Sequence, residues 1–300
     1  MGEFMNIILD TDIGNDCDDA GAIAVLYNLK KDFDFTVSMI GSSTSYVEGS
    51  YSINFINHYY NEKCLVGQNL SSGWPCLNAV DLYTQKLCKV LPNYEVDNIF
   101  EYVNQMRKAY TESNEKITLI IIGPFNAINM FLNSKPDDIS PLTGKELLNS
   151  KTEHVYVMGG KFCNDDIYFA NSLVTSEWNI KCDIKSAQKF LNEVKVPITF
   201  LPFECGLFLT GEKLSVNKSN PVFKCYDIYS DGIRFSWDPA TVYYAITRDN
   251  ESFIESEKGF ITIDDLGVTR HIPNSEGKHT YLICNKTYDD LKEVINKYLY

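Results

Sequence analysis

The sequence predicts an α/β fold in which helices flank both faces of an open, mainly parallel sheet. The order of apolar runs and helical segments along the chain predicts the sheet, and the length and hydrophobic content of the chain predict its large core. Short apolar runs alternate with segments whose apolar residues recur at helical spacing. Strands that alternate with helices in this way form parallel sheets. With 300 residues, 44% of them hydrophobic, the chain can also bury a large core.

Each element of this fold has its own local signal. Apolar runs predict buried strands at residues 5–9, 35–41, 64–67, 116–124, 154–160 and 197–203. Helical spacing predicts helices at residues 20–26, 48–61, 97–112 and 183–193, with two more between residues 220 and 248. Residues 68–98 show weaker periodicity and predict a loop with helical pieces, and a polar, Pro-rich gap spans residues 133–150. This order is typical of a Rossmann-like sheet.

The last part of the chain changes character. Residues 260–264, 271–273 and 281–284 predict short antiparallel strands, and a helix begins near Asp289 with Thr287 as its cap. We therefore expect one domain over residues 1–300, with a β appendage and a closing helix at 255–300. Residues 1–4 precede a second methionine, and we expect no element of the fold there.

Charge and cysteine content exclude several classes of partner. Forty acidic against 27 basic residues give a net charge of −13, which argues against nucleic acid or an anionic membrane as the partner. Nine cysteines are an odd number and form no CxxC pair, so we expect reduced thiols and a cytoplasmic protein. The first apolar run ends at Asp10 and predicts no signal peptide. The apolar run at 117–122 is far short of the ~20 residues that span a bilayer.

The strongest functional signal is a cluster of carboxylates directly after the first strand. Five aspartates fall within ten residues, at positions 10, 12, 16, 18 and 19. Like charges at this density repel one another and oppose folding, so a bound divalent cation is the simplest remedy. A phosphoryl-transfer site, with Asp10 as nucleophile and Asp12 as acid, is an alternative. Asp264 and Asp265 would then supply its second acidic loop.

The chain resembles the nucleoside hydrolases, also called inosine-uridine-preferring nucleoside hydrolase-like proteins. That family begins with a strand, the motif DxDPGxDD and a helix of small residues. The corresponding segment here reads LDTDIGNDCDDAGAIAVL, with Ile13 in place of Pro and two additional residues before the final Asp pair. Further matches in the same order are Ile122-Gly123, Met158-Gly159-Gly160, Glu177-Trp178-Asn179 and Trp237-Asp238-Pro239.

The resemblance implies a calcium-dependent hydrolase of the N-glycosidic bond of ribonucleosides, which releases free base and ribose. Its implied Ca²⁺ ligands are the carboxylates of Asp12, Asp19 and Asp238 and the main-chain carbonyl of Ile122. Asp18 would be the general base for the attacking water, with Asp16 as the alternative because of the two-residue insertion. The implied ribose-binding residues are Asn171, Glu177 and Asn179.

One departure from the family bears on the substrate. Members that favour pyrimidines carry a His where this chain has Trp237, and an indole cannot donate a proton at a useful pKa. Phe162, Trp178, Tyr229 and Trp237 are candidates for an aromatic pocket that stacks on a purine, or else for the core. A nucleoside-binding protein that has lost efficient turnover therefore remains an alternative function. We expect a small-molecule nucleoside as ligand and a homodimer or homotetramer as assembly.

Overall fold

The computed structural model describes residues 4–71, 82–91 and 99–300. The strands are β1 (Met5–Thr11), β2 (Phe35–Ser42), β3 (Leu65–Gln68), β4 (Ile99–Glu101), β5 (Ile117–Ile121), β6 (Thr152–Met158), β7 (Tyr168–Phe169), β8 (Ser172–Leu173), β9 (Ile198–Leu201), β10 (Leu209–Thr210), β11 (Arg234–Phe235), β12 (Phe253–Glu255), β13 (Gly259–Ile263), β14 (Thr269–Pro273) and β15 (His279–Cys284).

The helices between them are α1 (Asp18–Leu29), α2 (Val47–Tyr59), α3 (Tyr83–Val90), α4 (Tyr102–Glu112), α5 (Asn126–Asn133), α6 (Gly144–Lys151), α7 (Trp178–Cys182), α8 (Ile184–Glu193), α9 (Pro221–Ser230), α10 (Trp237–Thr247) and α11 (Tyr288–Leu299). Short 3₁₀ turns occupy Phe203–Gly206 and Leu214–Val216.

The main sheet confirms the predicted fold class. Its strand order is β14-β13-β15-β9-β6-β5-β1-β2-β3-β4, and β12 pairs with β15 beside this path. Every pairing from β15 to β4 is parallel, whereas β12, β13 and β14 pair antiparallel. The carboxyl ends of the parallel strands consequently meet at one edge, where ligands bind in such sheets.

Both faces of the sheet are covered, which explains why its strands read as continuous apolar runs. Ile7 and Leu9 pack into the core on one face, and Ile8, between them, packs into the core on the other. All twelve residues of α1 are buried, because this helix packs on the sheet and against α10 and α11. None of the described helices is long and apolar enough to cross a membrane.

Some elements differ from the sequence prediction. The predicted helix at 97–112 begins only at Tyr102, because residues 99–101 pair with β3 and the Glu101 side chain then caps α4 by accepting from the N–H groups of Val103 and Asn104. The polar gap at 133–150 contains α6, which Thr143 and Glu146 start with a capping box. Of the predicted loop at 68–98, residues 72–81 and 92–98 lie outside the described residues.

The C-terminal strands are antiparallel to one another, as predicted, but they do not stand apart from the main sheet. β15 pairs parallel with β9, in the register His279 to Ile198 and Thr280 to Thr199. The hydroxyls of Thr199 and Thr280 lie 2.8 Å apart across this pairing. The sequence pattern identifies strands but not their partners, so it did not predict this continuation. Thr287 caps α11 as expected and accepts from the Asp290 N–H at 3.2 Å.

A partly buried histidine on β6 makes stability depend on pH. The Nε2 atom of His154 lies 2.8 Å from the Thr199 hydroxyl, and its ring stacks on Tyr156 with centroids 4.4 Å apart. Burial, and then the nearby Arg248 charge, lower the pKa of His154 to about 3. The unfolded chain therefore binds a proton here that the folded chain does not. This residue's contribution to stability falls as the pH drops below the unfolded pKa of 6.5.

We predict that His154→Gln makes the free energy of unfolding less sensitive to acid. Wild type should lose about 2 kcal/mol between pH 7 and pH 5 through this residue, and the variant should not. Urea denaturation at both pH values measures the difference between the two proteins. His58→Gln, at an exposed histidine of α2, is the control. Parallel pH dependence of wild type and His154→Gln would contradict the account.

Candidate active site

A cavity of about 350 Å³ opens at the carboxyl edge of the sheet. Residues that directly follow β1 and β5 line it, together with the last residue of β6 and the first residues of α1, α7 and α10. Of the site residues predicted from the sequence, it brings together Asp12, Asp18, Asp19, Ile122, Glu177, Asn179, Trp237 and Asp238. The strand order explains this gathering, because β1, β5 and β6 are neighbours in the sheet.

The inner wall of the cavity is a cluster of buried carboxylates. Asp18, Asp19 and Asp238 each present an oxygen within 4.8 Å of the others. Asp18 and Asp238 are 220 residues apart in sequence, yet the Asp238 N–H donates to Asp18 Oδ2 at 3.2 Å. Asp12 lines the same cavity and is 4% exposed. Asp238, from a distant helix, thus lies beside two of the aspartates that follow β1.

Two glycines make this meeting of helices possible. Gly14 has φ +125°, a conformation that side chains strongly disfavour, and it turns the chain between β1 and α1. Gly21 faces α9 and α10: a Cβ atom there would lie 2.2 Å from the Tyr226 hydroxyl and 3.2 Å from Pro239. A larger residue at Gly21 would collide with Tyr226 and press on Pro239, the residue that follows Asp238.

Burial is the main influence on these acids. It raises the pKa of Asp12, Asp18, Asp19 and Asp238 well above the usual value, and the charges of neighbouring aspartates raise it further. Burial likewise raises the pKa of Asp10 to about 7, although a hydrogen bond from Tyr102 opposes the shift. Several buried carboxylates cannot all be ionised at neutral pH without a compensating positive charge.

The residues present fit a divalent cation. Thr11 donates to Asp19 Oδ1, whereas Asp19 Oδ2 is buried and has no hydrogen-bond partner among the described residues. An orphaned carboxylate oxygen inside a ring of carboxylates is an acceptor that a cation would satisfy. All of the candidate donors are oxygens, which hard cations such as Ca²⁺ and Mg²⁺ prefer.

Glu177 and Asn179 are held rigidly at the first turn of α7. Glu177 caps this helix by accepting from the N–H groups of Asn179 at 2.7 Å and Ile180 at 3.1 Å. Burial raises the pKa of Glu177 to about 7, although its backbone hydrogen bonds oppose the shift. The Asn179 amide donates to the Ile122 carbonyl at 3.2 Å. Since a carbonyl oxygen has two lone pairs, that of Ile122 keeps one for another partner.

Asn171 is not brought together with the other predicted ligands. It lies in the turn between β7 and β8 with φ 62°, is exposed, and does not line the cavity. Asn and Gly are the residues that tolerate this backbone conformation best. Its assignment to ribose binding stays a prediction, and the geometry accounts for Asn171 as a turn residue.

The aromatic candidates separate into two groups. Trp178, Tyr229 and Trp237 line the cavity, whereas Phe162 stacks on Tyr281 outside it. The Trp237 indole N–H donates to the Phe203 carbonyl at 2.7 Å, so it is not available to a ligand. Trp237 also stacks on Phe203, with ring centroids 5.3 Å apart. It can therefore act as an apolar wall of the cavity.

An ion pair that the sequence did not predict lies beside the carboxylate cluster. Arg234 of β11 binds both carboxylate oxygens of Asp16, and both residues line the cavity. The signal was a basic residue four positions before the metal-binding candidate Asp238, in an otherwise apolar and aromatic segment. The second acidic loop of the phosphoryl-transfer alternative lies elsewhere: Asp264 pairs with Arg270, Asp265 pairs with Lys185, and neither lines the cavity.

Comparison with known proteins agrees with this geometry. The profile of the inosine-uridine preferring nucleoside hydrolase family matches residues 7–276. No curated protein matches the chain significantly in sequence.

Solved structures of three nucleoside hydrolases are similar to the chain over nearly its whole length. An inosine-uridine preferring nucleoside hydrolase from Bacillus anthracis has 14% identity and a TM-score of 0.69, with 98% of this chain and 99% of that chain covered. A purine-preferring ribonucleoside hydrolase from Gardnerella vaginalis has 16% identity and a TM-score of 0.69, with 98% of each chain covered. An inosine-guanosine nucleoside hydrolase has 15% identity and a TM-score of 0.67, with 98% and 97% covered.

At these identities the structures show a common fold, and the family profile extends over most of the chain. The chain belongs to the inosine-uridine preferring nucleoside hydrolase family, whose members hydrolyse N-glycosyl bonds.

Proposed function

We propose that this chain hydrolyses the N-glycosidic bond of ribonucleosides with the help of Ca²⁺, in nucleoside salvage. The observation that carries the proposal is the carboxylate cluster at the carboxyl edge of the sheet, with the orphaned Asp19 Oδ2 inside it. Family membership supports the reaction. The proposed ligands of the ion are Asp12, Asp19, Asp238 and the carbonyl of Ile122. A bound Ca²⁺ ion supplies a fixed positive charge and Lewis acidity.

Asp18 is the proposed general base, which takes a proton from the attacking water. One of its oxygens accepts the Asp238 N–H, which helps to fix the orientation of the carboxylate, and the carboxyl group also lies in hydrogen-bond contact with that of Asp16. Burial and the charge of Asp16 raise the pKa of Asp18, and a higher pKa increases its affinity for the proton. Asp16 is the weaker candidate, because both of its oxygens are engaged by Arg234 and Oδ1 also accepts the Cys17 N–H at 2.6 Å.

The proposed role of Glu177 and Asn179 is to hold the ribose. Positive charge grows on the sugar ring as the glycosidic bond breaks, and oxygen acceptors around the ring stabilise it. Trp237 closes the cavity toward the base. Asn171 remains a predicted ribose ligand that this geometry does not support.

Two finer expectations accompany the proposal. A cytoplasmic location is supported by the cysteines, since the eight described ones are all free thiols. A homodimer or homotetramer is proposed on the resemblance alone, and analytical ultracentrifugation measures it.

Calcium should stabilise the protein, because the ion binds the folded cluster and not the unfolded chain. At 100 times its dissociation constant, Ca²⁺ should raise the free energy of unfolding by about 2.7 kcal/mol. Melting curves with EDTA, Ca²⁺ and Mg²⁺ measure the effect. Asp19→Asn should abolish the calcium response, and Asp265→Asn, at an exposed aspartate outside the cavity, should retain it. A melting temperature indifferent to both EDTA and Ca²⁺ would contradict the metal assignment.

The roles of the aspartates separate by two measurements on the same variants. Asp18→Asn should lower kcat for inosine by about 10² to 10⁴, the usual contribution of a general base, and should keep the calcium response in melting. Asp12→Asn should lose that response. If Asp18→Asn lost the calcium response as well, Asp18 would be a ligand and the assignment of the base would be wrong.

The same assay tests the alternative function. A nucleoside-binding protein without efficient turnover is favoured by one observation, that the Trp237 N–H is engaged by Phe203 and so does not reach the departing base. Tight inosine binding by calorimetry without release of hypoxanthine would support it. Release of hypoxanthine and ribose in equal amounts would exclude it.

A further inference from the structure

The cavity contains a guanidinium group whose surroundings are those of a ligand-binding residue. Arg234 Nε lies 2.8 Å from Asp16 Oδ1 and 2.9 Å from Oδ2, and Nη2 also donates to Oδ2. The planar group lies over the rings of Trp237 and Tyr229, at 5.3 Å and 5.4 Å from their centroids. A bidentate carboxylate and aromatic faces fix both the position and the plane of the guanidinium.

Three of the five N–H donors of Arg234 make no hydrogen bond to the described residues, since Asp16 engages the single N–H of Nε and one of the two on Nη2. Asp16 occupies the edge formed by Nε and Nη2, so the edge formed by Nη1 and Nη2 is open. Nη1 makes no hydrogen bond within the described part of the chain, and the Arg234 side chain is 19% exposed. Arg234 lines the cavity, so a ligand bound there lies beside this guanidinium.

The guanidinium of Arg234 stays protonated. Burial acts to lower the pKa of Arg234, but the hydrogen bond and charge of Asp16, with the charge of Asp18, outweigh it and raise the pKa. Arg234 therefore stays charged at every pH at which the enzyme folds. It can donate hydrogen bonds to a ligand and cannot act as a general acid.

A departing base needs a stabilising group that the other candidates do not supply. None of the four histidines, all of which lie in the described residues, lines the cavity. The Trp237 N–H is engaged by the Phe203 carbonyl. Lys181 lines the cavity too, but its side chain is exposed and has none of the fixed orientation of Arg234.

We propose that Arg234, anchored by Asp16, binds the nucleobase through its open edge and stabilises the negative charge that the base gains as it departs. The inference rests on the proposed function. In the reaction, the electron pair of the broken C–N bond leaves with the base, and the water oxygen bonds to C1′. The proton of that water passes to the general base and then to solvent. Solvent supplies the proton that the base anion takes up, while Arg234 keeps all of its own.

The open edge also selects among purines. A guanidinium edge presents two parallel N–H donors, which match the O6 and N7 acceptors of a 6-oxopurine such as hypoxanthine or guanine. Adenine offers N7 but presents an amino donor at position 6, which faces a second donor and gains no bond. Arg234 consequently favours inosine and guanosine over adenosine.

The test compares three substrates that need the guanidinium to different degrees. Arg234→Met should lower kcat/KM for inosine by about 10²-fold, the usual loss on removal of one charge-stabilising donor. The ratio of inosine to adenosine kcat/KM should fall about tenfold, within the range of one bidentate base contact. p-Nitrophenyl β-D-ribofuranoside has a leaving group that is stable as an anion, so its hydrolysis should change by less than about threefold.

Three further variants make the test specific. Arg234→Lys keeps a charge without the fork and should restore part of the inosine rate but not the purine preference. Asp16→Asn should resemble Arg234→Met and leave hydrolysis of the nitrophenyl substrate nearly unchanged. If Asp16 were the general base, Asp16→Asn would slow hydrolysis of the nitrophenyl substrate as well. Arg248→Met removes an arginine stacked on Tyr156 outside the cavity, at 4.2 Å, and should leave all three rates unchanged.

Several outcomes would overturn the proposal. Equal losses of Arg234→Met on all three substrates would show that the residue is only a structural anchor, as would a wild-type preference for adenosine. Loss of the inosine rate in Lys181→Met instead would transfer the role to that lysine. Melting curves check that each variant folds. If Arg234→Met does not fold, the ratio of inosine to adenosine kcat/KM is compared between wild type and Arg234→Lys. A wild type inactive on every nucleoside and on the nitrophenyl riboside would instead overturn the proposed function itself.

Discussion

The repulsion among buried carboxylates is the constraint around which the active-site edge of this protein is built. Asp18, Asp19 and Asp238 bring their oxygens within 4.8 Å of one another at the first turns of two helices. The surrounding protein reduces the screening of these charges, because each of these residues is at most 5% exposed. Packing of α1 against α10 places the carboxylates together despite their repulsion, and the proposed cation would turn the same arrangement into a stabilising one.

The cavity is lined by charges of both signs, because the guanidinium of Arg234 lines it together with the buried carboxylates. Carboxylates gather at the inner wall, where the ribose is proposed to bind, and Arg234 stands beside Asp16 and the aromatic rings of Tyr229 and Trp237. N-glycoside cleavage separates charge, since the sugar becomes positive and the base negative. A field fixed by packed side chains stabilises that separation without reorganising during the reaction. The Arg234–Asp16 pair thus complements the metal cluster in the proposed mechanism.

The sequence predicted most of what depends on local pattern. The apolar runs gave the central parallel strands, and the aspartates that follow β1 lie where the strand order predicts, at the carboxyl edge. The resemblance at Trp237-Asp238-Pro239 pointed to Asp238, which the structure places beside Asp18 and Asp19. Residue spacing alone gives no such proximity, since 220 residues separate Asp18 from Asp238.

What depends on pairing across the fold was not predictable in the same way. No local sequence pattern indicates that β15 continues the sheet beside β9, or that Asp16 is bound by an arginine 218 residues away. The role expected of Asn171 rested on an offset in sequence, whereas the structure places this residue in a tight exposed turn. The direction in which a side chain points from a short hairpin depends on the geometry of its turn. Residue spacing in the sequence does not show that geometry.

A crystal structure of the protein with Ca²⁺ and ribose would test the central claim most directly. The account predicts density for one ion in the cavity, with oxygens of Asp12, Asp19, Asp238 and Ile122 at the usual calcium distances of about 2.3–2.6 Å. It also predicts that an oxygen of Asp18 faces a water molecule beside the ion. An ion bound elsewhere, or a carboxylate cluster that stays without one at saturating Ca²⁺, would contradict it.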